Sequence, residues 1–180
     1  MHHLLAATAI AAAAVAAAPA HAQMPDGSAN RAAIEKLAFM VGTWRGDAWM
    51  LRGAGEKVQV TMTETVEPKL GGVVLQVEGV GVVPGADGAE PRVVHHALGV
   101  VSFDPQTGGY LLRSYIASGQ AGDFTLTPVE GGVRWSREVP GGQIRNTALY
   151  AGGEWHEVGE FSRDGTTWTQ IMEMRLRREP

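Results

Sequence analysis

The sequence contains no cysteine. Disulfides, thiolate metal sites and a cysteine nucleophile are therefore excluded, and core packing and hydrogen bonding must do all the stabilising. A basic stripe is also missing. Lys and Arg number 15 against 19 Asp and Glu, for a formal net charge of −4, and the one dense basic run is Arg175, Arg177 and Arg178 at the C-terminal end. Such a chain is a poor partner for nucleic acid. Ser102, Ser114, Ser118 and Ser136 stand in no Gly-x-Ser-x-Gly elbow. No Gly-rich loop joins a strand to a helix, so a phosphate cradle is lacking as well. After residue 22 no apolar run approaches the roughly 18 residues that a membrane-spanning helix requires.

What is present begins with "MHHLLAATAIAAAAVAAAPAHA", residues 1–22, which holds no Asp, Glu, Lys or Arg. The block ends in Ala20-His21-Ala22, with small residues where a signal peptidase needs them, and reads as a signal peptide cleaved after Ala22. Its positive n-region consists only of the amino terminus and His2-His3; the alternative is an uncleaved anchor. The expectation is a periplasmic or secreted protein with three parts: a leader at 1–22, a tether and capping helix at 23–41, and one domain at 42–180.

In "RAAIEKLAFM", Ile34, Leu37, Ala38 and Val41 recur at helical spacing, with Ser28 or Asn30 as candidate caps. From Gly42 the period drops towards two. Ten alternating runs follow, near 43–51, 57–67, 72–83, 92–103, 109–117, 122–128, 132–138, 143–151, 154–163 and 167–177. They are separated by glycine-rich turns such as Gly71-Gly72, Asp87-Gly88, Gly141-Gly142 and Asp164-Gly165. Short links favour an up-and-down meander, and a meander of this size hides its edges by closing. The predicted fold is all-β: an antiparallel barrel of about ten strands, with the short N-terminal helix across one mouth and Trp44 pointing down to close that end.

Gly42-Thr43-Trp44 after a short helix resembles the Gly-x-Trp signature of lipocalins and other calycin barrels. The wider pattern is similar to the DUF1579-like and nitrobindin-like barrels, through "LAFMVGTWRGDAWM", "ETVEPKLGGVVLQVEGVG", "ALGVVSFDPQTGGYLLRSY" and "DGTTWTQIMEMRLRR". The resemblance implies that an arginine of the last strand, Arg175 or Arg177, stacks over the signature tryptophan. Nitrobindin-like members bind haem through a late histidine. Here the last strand has none, and His156 lies a strand earlier.

The residues themselves offer several candidates for chemistry. His95 and His96 are neighbours on a strand, so they face opposite sides and cannot chelate one metal together. One is expected to meet solvent and the other, His96, to line the barrel. Glu64, placed with Thr61 and Thr63, and Glu157 read as exposed strand charges. Arg113 and Tyr115 share a face that, turned inward, would clamp a ligand carboxylate; turned outward, it leaves the Leu112 face inside. Trp49, Trp135, Trp155 and Trp168 supply bulk for a core or pocket. Met172 and Met174 are expected inward with Trp168 and Leu176. The resulting expectation is a non-enzymatic barrel holding a small apolar or amphipathic molecule, with Arg113, Tyr115, His96, Trp49 and Trp135 as contacts and no cofactor. The alternatives are a haem protein ligated by His96 or His156, a small isomerase or lyase using Arg113, Tyr115, His96 and Glu64, and a filled barrel acting through its surface.

Overall fold

The computed structural model describes residues 26–180 apart from 53–54 and 86–87. The leader-like block at 1–22 and the first tether residues lie outside the described residues. Ten strands form: β1 (Gly42–Arg52), β2 (Glu56–Lys69), β3 (Val74–Val83), β4 (Arg92–Asp104), β5 (Gly109–Ile116), β6 (Ala121–Val129), β7 (Gly132–Val139), β8 (Gly142–Ala151), β9 (Glu154–Ser162) and β10 (Thr169–Arg178). Each pairs antiparallel with its sequence neighbours, and β1 pairs with β10 to close the barrel. Alternation decides which side faces in. On β2, Val60, Met62 and Val66 are buried, whereas Gln59, Thr61, Thr63 and Thr65 face out. On β10, Met174 and Leu176 are buried and Met172 packs against the same core.

The chain enters the barrel through α1 (Ser28–Glu35) and a 3-10 turn (Ala38–Met40). The helix starts earlier and ends sooner than its periodicity predicts. Neither Ser28 nor Asn30 caps it. Asp26 accepts bonds from the Ser28 amide at 3.0 Å and hydroxyl at 2.9 Å, and the Asn30 amide instead donates to the Phe103 carbonyl at 2.6 Å. The Tyr110 hydroxyl donates to the Ala33 carbonyl at 2.9 Å. Ala33, Ile34, Leu37 and Met40 are buried, so the apolar stripe plugs the end of the barrel where β4 turns into β5.

Trp44 is the floor of that plug, 1% exposed. Its indole N–H donates to the Met40 carbonyl at 2.8 Å. Tyr150 and Trp155 meet it edge-on, with centroids at 5.5 and 5.8 Å, a geometry that aromatic quadrupoles favour. The arginine over its ring is Arg178, 4.2 Å from the centroid, rather than Arg175 or Arg177. Parity is the reason. Arg178 follows Met174 and Leu176 on the inner face, while Arg175 and Arg177 point out and pair with Glu154. Arg178 also donates to the carbonyls of Val41 and Phe39. Gly42 has φ +134°, and a Cβ there would stand 2.9 Å from the Arg178 guanidinium. Both its backbone and its lack of a side chain are therefore required.

Trp44→Ala should cost about 3–5 kcal/mol, as truncation of a buried tryptophan does. Arg178→Ala should cost about 1–3 kcal/mol through the lost cation–π contact and carbonyl bonds. Arg177→Ala should stay under about 1 kcal/mol, because its ion pair is exposed. Chemical denaturation of the three variants checks the order; equal losses for Arg178 and Arg177 would remove Arg178 from the latch.

Candidate functional site

The packing around Trp44 does not continue to the other end. A cavity of about 380 Å³ extends from Met40 and Glu64 to Met50, Ile116 and Ile171. It reaches the rim at Ile116, which is 41% exposed. One wall is built from small residues: Gly79 on β3, with Ala97 and Gly99 on β4, all turned inward. A Cβ on Gly99 would come within 2.8 Å of Leu112 Cδ1. Opposite them stand Leu126, Trp135 and Trp155, with Met50, Met62 and Met172 between. The filled barrel weighed above is therefore not what forms.

Two carboxyl groups face this space, Glu64 from β2 and Glu157 from β9. Both are buried, at 8% and 4% exposure. Burial pushes the Glu64 pKa up to about 8, and no hydrogen bond reaches its carboxyl among the described residues. Glu157 is raised well above the usual carboxylate range, first by burial and then by Glu64; the Trp155 N–H, 3.2 Å from Oε2, acts in the opposite direction. His95 also lines the cavity, and burial, then His96, lower its pKa. The Tyr150 hydroxyl is buried with no partner among the described residues, and its pKa is raised by burial, Glu157 and Glu64. Glu64 is thus held as the acid at neutral pH, burial pushes Glu157 in the same direction, and His95 is pushed towards its neutral form. Asn146 and Ser114 complete the polar lining. Asn146 fits because its β9 neighbour is Gly159, where a Cβ would lie 2.5 Å from its oxygen.

Of the contacts expected from sequence, Trp135 lines the cavity and the others lie outside it. Arg113 and Tyr115 face out from β5, leaving Leu112, Ser114 and Ile116 inside. Arg113 makes two 2.6 Å bonds to Asp123 on β6. Tyr115 is 43% exposed. His96 is on the outer face, 2.8 Å from Glu78, and the barrel-lining histidine is His95. Trp49 is also on the outer face, with Lys57 Nζ 3.8 Å over its ring. Trp168 precedes β10 and lies under Arg145 at 3.8 Å; an irregularity between Gln170 and Met172 separates it from the methionine face.

The four side chains of the isomerase or lyase reading thus do not converge, since only Glu64 points inward. Haem ligation by His96 or His156 does not fit either. His156 faces out and bonds Glu173 at 2.9 Å. Among the described residues no group of three or more His, Asp or Glu is placed to hold a metal ion.

Glu64 and Glu157 were legible but misread. Glu64 keeps the parity of Val60, Met62 and Val66, and Glu157 that of Trp155. An acidic residue in phase with apolar positions was the signal. A raised carboxyl pKa means that the folded state holds a proton the unfolded chain releases, so stability is greatest at acid pH and falls as pH climbs through the window. For Glu64 that window runs from 4.5 to about 8, with a limiting slope of about 1.4 kcal/mol per pH unit for each proton. Glu64→Gln should be more stable than wild type at pH 8 and show a shallower decline between pH 5 and 8. Denaturation midpoints across that range check this, and parallel curves would mean that Glu64 is not held as the acid.

No protein-family model matches the chain, and no curated protein matches it. Among solved structures, that of Rv2717c from M. tuberculosis aligns with a TM-score of 0.61 at 14% identity, over 82% of this chain and 98% of that one. A protein of unknown function from the DUF3598 family of Nostoc punctiforme aligns over 81% of this chain and 98% of its own at 7% identity, with a TM-score of only 0.25. The similarity to Rv2717c is one of fold alone: this chain is a β-barrel protein whose architecture resembles that structure.

Proposed function

We propose that the barrel binds a small, largely apolar molecule in its interior. The unfilled cavity of about 380 Å³ carries this reading. Protein interiors rarely leave voids larger than a water molecule, and ligand pockets usually measure roughly 300–1,000 Å³. The volume suits a small molecule rather than an extended lipid. Methionine, leucine and tryptophan side chains supply apolar contact, and Glu64, Glu157, His95, Asn146 and Ser114 supply a few polar groups to orient the guest. Gly42-Thr43-Trp44, the capping helix and Arg178 over the indole support kinship with calycin barrels of the DUF1579-like and nitrobindin-like kind. The charge-free block ending at Ala22 supports a periplasmic or secreted location. The outward placement of Arg113, Tyr115 and His96 favours binding over catalysis.

The full chain titrated with 1-octanol in a calorimeter should bind one molecule saturably. Ala97→Phe, which adds a ring to the small-residue wall, should lose that binding by at least about tenfold, or about 1.4 kcal/mol, while keeping its thermal midpoint within a few degrees. Wild-type protein without saturable binding, or a folded Ala97→Phe that binds as well as wild type, would sink the reading.

A further inference from the structure

We propose that the guest is an amphipathic amine, its ammonium group set against the Glu64 carboxylate and its apolar body against the methionines and tryptophans of the cavity. This rests on the binding reading above and names the ligand class for the same site.

Glu64 is a buried acid turned into a cavity without a partner among the described residues. Its oxygens lie over Gly79, where a Cβ would sit 2.5 Å from Oε1 and 2.9 Å from Oε2. The glycine leaves room for the carboxyl and is itself part of the cavity lining. The titratable groups that share this interior come from four other strands. Glu157 on β9 is a second acid, and Tyr150 on β8 is a buried phenol. His95 on β4 is held towards its neutral form. Arg178 on β10 is committed to the Trp44 ring and to the carbonyls of Phe39 and Val41. Among the described residues, no side chain that lines the cavity is a lysine or arginine.

This composition discriminates by charge. An anionic guest would meet two acids and no cation, while the arginine best suited to clamp a carboxylate, Arg113, is outside and already paired. An ammonium group brings the missing positive charge and three donors. In a poorly solvated interior, an ion pair with matching hydrogen bonds offsets the burial of both charges, whereas either charge alone is costly. The faces of Trp135 and Trp155 and the soft thioethers of Met50, Met62 and Met172 suit the alkyl or aryl remainder.

The protonation balance follows. An ammonium ion enters from solution already protonated, Glu64 gives up its proton to form the pair, and one proton leaves for solvent. Amine affinity therefore rises with pH through the range in which free Glu64 holds its proton, by up to about tenfold per pH unit, while the affinity of a neutral guest lacks this dependence.

The test is calorimetry of the full chain with n-octylamine and with 1-octanol, at pH 6 and pH 8, in buffers of different ionisation enthalpy. At pH 8 octylamine should bind at least about tenfold more tightly than octanol, as a charge-assisted bond exceeds a neutral one. Its preference should shrink at pH 6, and the buffer dependence should reveal close to one proton released at pH 6 and about half of one at pH 8, where free Glu64 is already partly ionised. Glu64→Gln should erase the preference and the proton release while still binding octanol saturably. Octanol binding with equal or weaker octylamine binding would overturn the amine assignment and leave the binding reading standing. Binding of neither overturns both. A preference or proton release that survives in Glu64→Gln would overturn the role of Glu64; should that variant not fold, Glu157→Gln, which keeps Glu64, must retain both, and their loss there would overturn it equally.

Discussion

Pairing of β1 with β10 removes the two free edges of a ten-stranded sheet, and the side chains at that seam also hold the cap. Trp44 and Arg178 are partners across the seam and both turn inward. The indole donates to Met40, and the guanidinium covers the indole and donates to Phe39 and Val41. One cluster thus ties together the first strand, the last strand and the segment that leads in from the helix. The residues it joins are more than 130 positions apart in sequence, so ordering this cluster carries a large share of the loop-closure cost of the fold. Once it forms, the inner faces of β1 and β10 are settled.

The two ends of the barrel then take different chemistry. Near the seam the interior holds three large rings, those of Trp44, Tyr150 and Trp155, packed edge-on or tilted at centroid separations of 5.0 to 5.8 Å. Towards the other mouth, β3 and β4 present Gly79, Ala97 and Gly99. A barrel of this strand number encloses more space than medium-sized side chains fill. Where Trp44, Tyr150 and Trp155 pack against one another the space closes; beside Gly79, Ala97 and Gly99 a cavity remains. The packed end supplies rigidity, and the hollow end can be open because it does not have to.

Strand positions were readable from sequence because glycine-rich turns and alternation are local signals, and all ten strands lie within a few residues of expectation. Which face was inside was readable only where the faces differ in polarity, as on β2 and β10. On β4 the signal runs backwards. The outer face carries Val93, Leu98 and Val100, while the inner face carries His95, Ala97 and Gly99, because the latter border a void. Hydrophobicity therefore misdirects at the wall that makes the cavity, where His95 and not His96 faces in. On β5 both faces are half apolar, and only pairing with β4 and β6 puts Arg113 outside. Arg178 and Glu64 are different cases. Glu64 shares the parity of its apolar neighbours and reads as exposed only because glutamate is expected outside. Arg178 has the parity of Met174 and Leu176 that Arg175 and Arg177, the arginines expected over Trp44, lack. The residues that violate polarity expectations are the ones with specific work in the fold or the cavity.

That violation gives the interior an electrostatic character unlike a carboxylate clamp. With Glu64 held as the acid and burial pushing Glu157 and His95 towards their neutral forms, the empty cavity disfavours fixed charge, so an apolar body can enter without stripping water from an ion. A negative charge develops there only when a proton is removed, and in a site this poorly hydrated its removal becomes favourable chiefly when a cation arrives to replace it. Glu64 and Glu157 are also coupled, because ionising one raises the pKa of the other. A charge on Glu64 therefore disfavours a second one on Glu157. The pair is graded in this way to match one positive charge, and the selectivity comes from the cost of burying a charge and not from a preformed ionic contact.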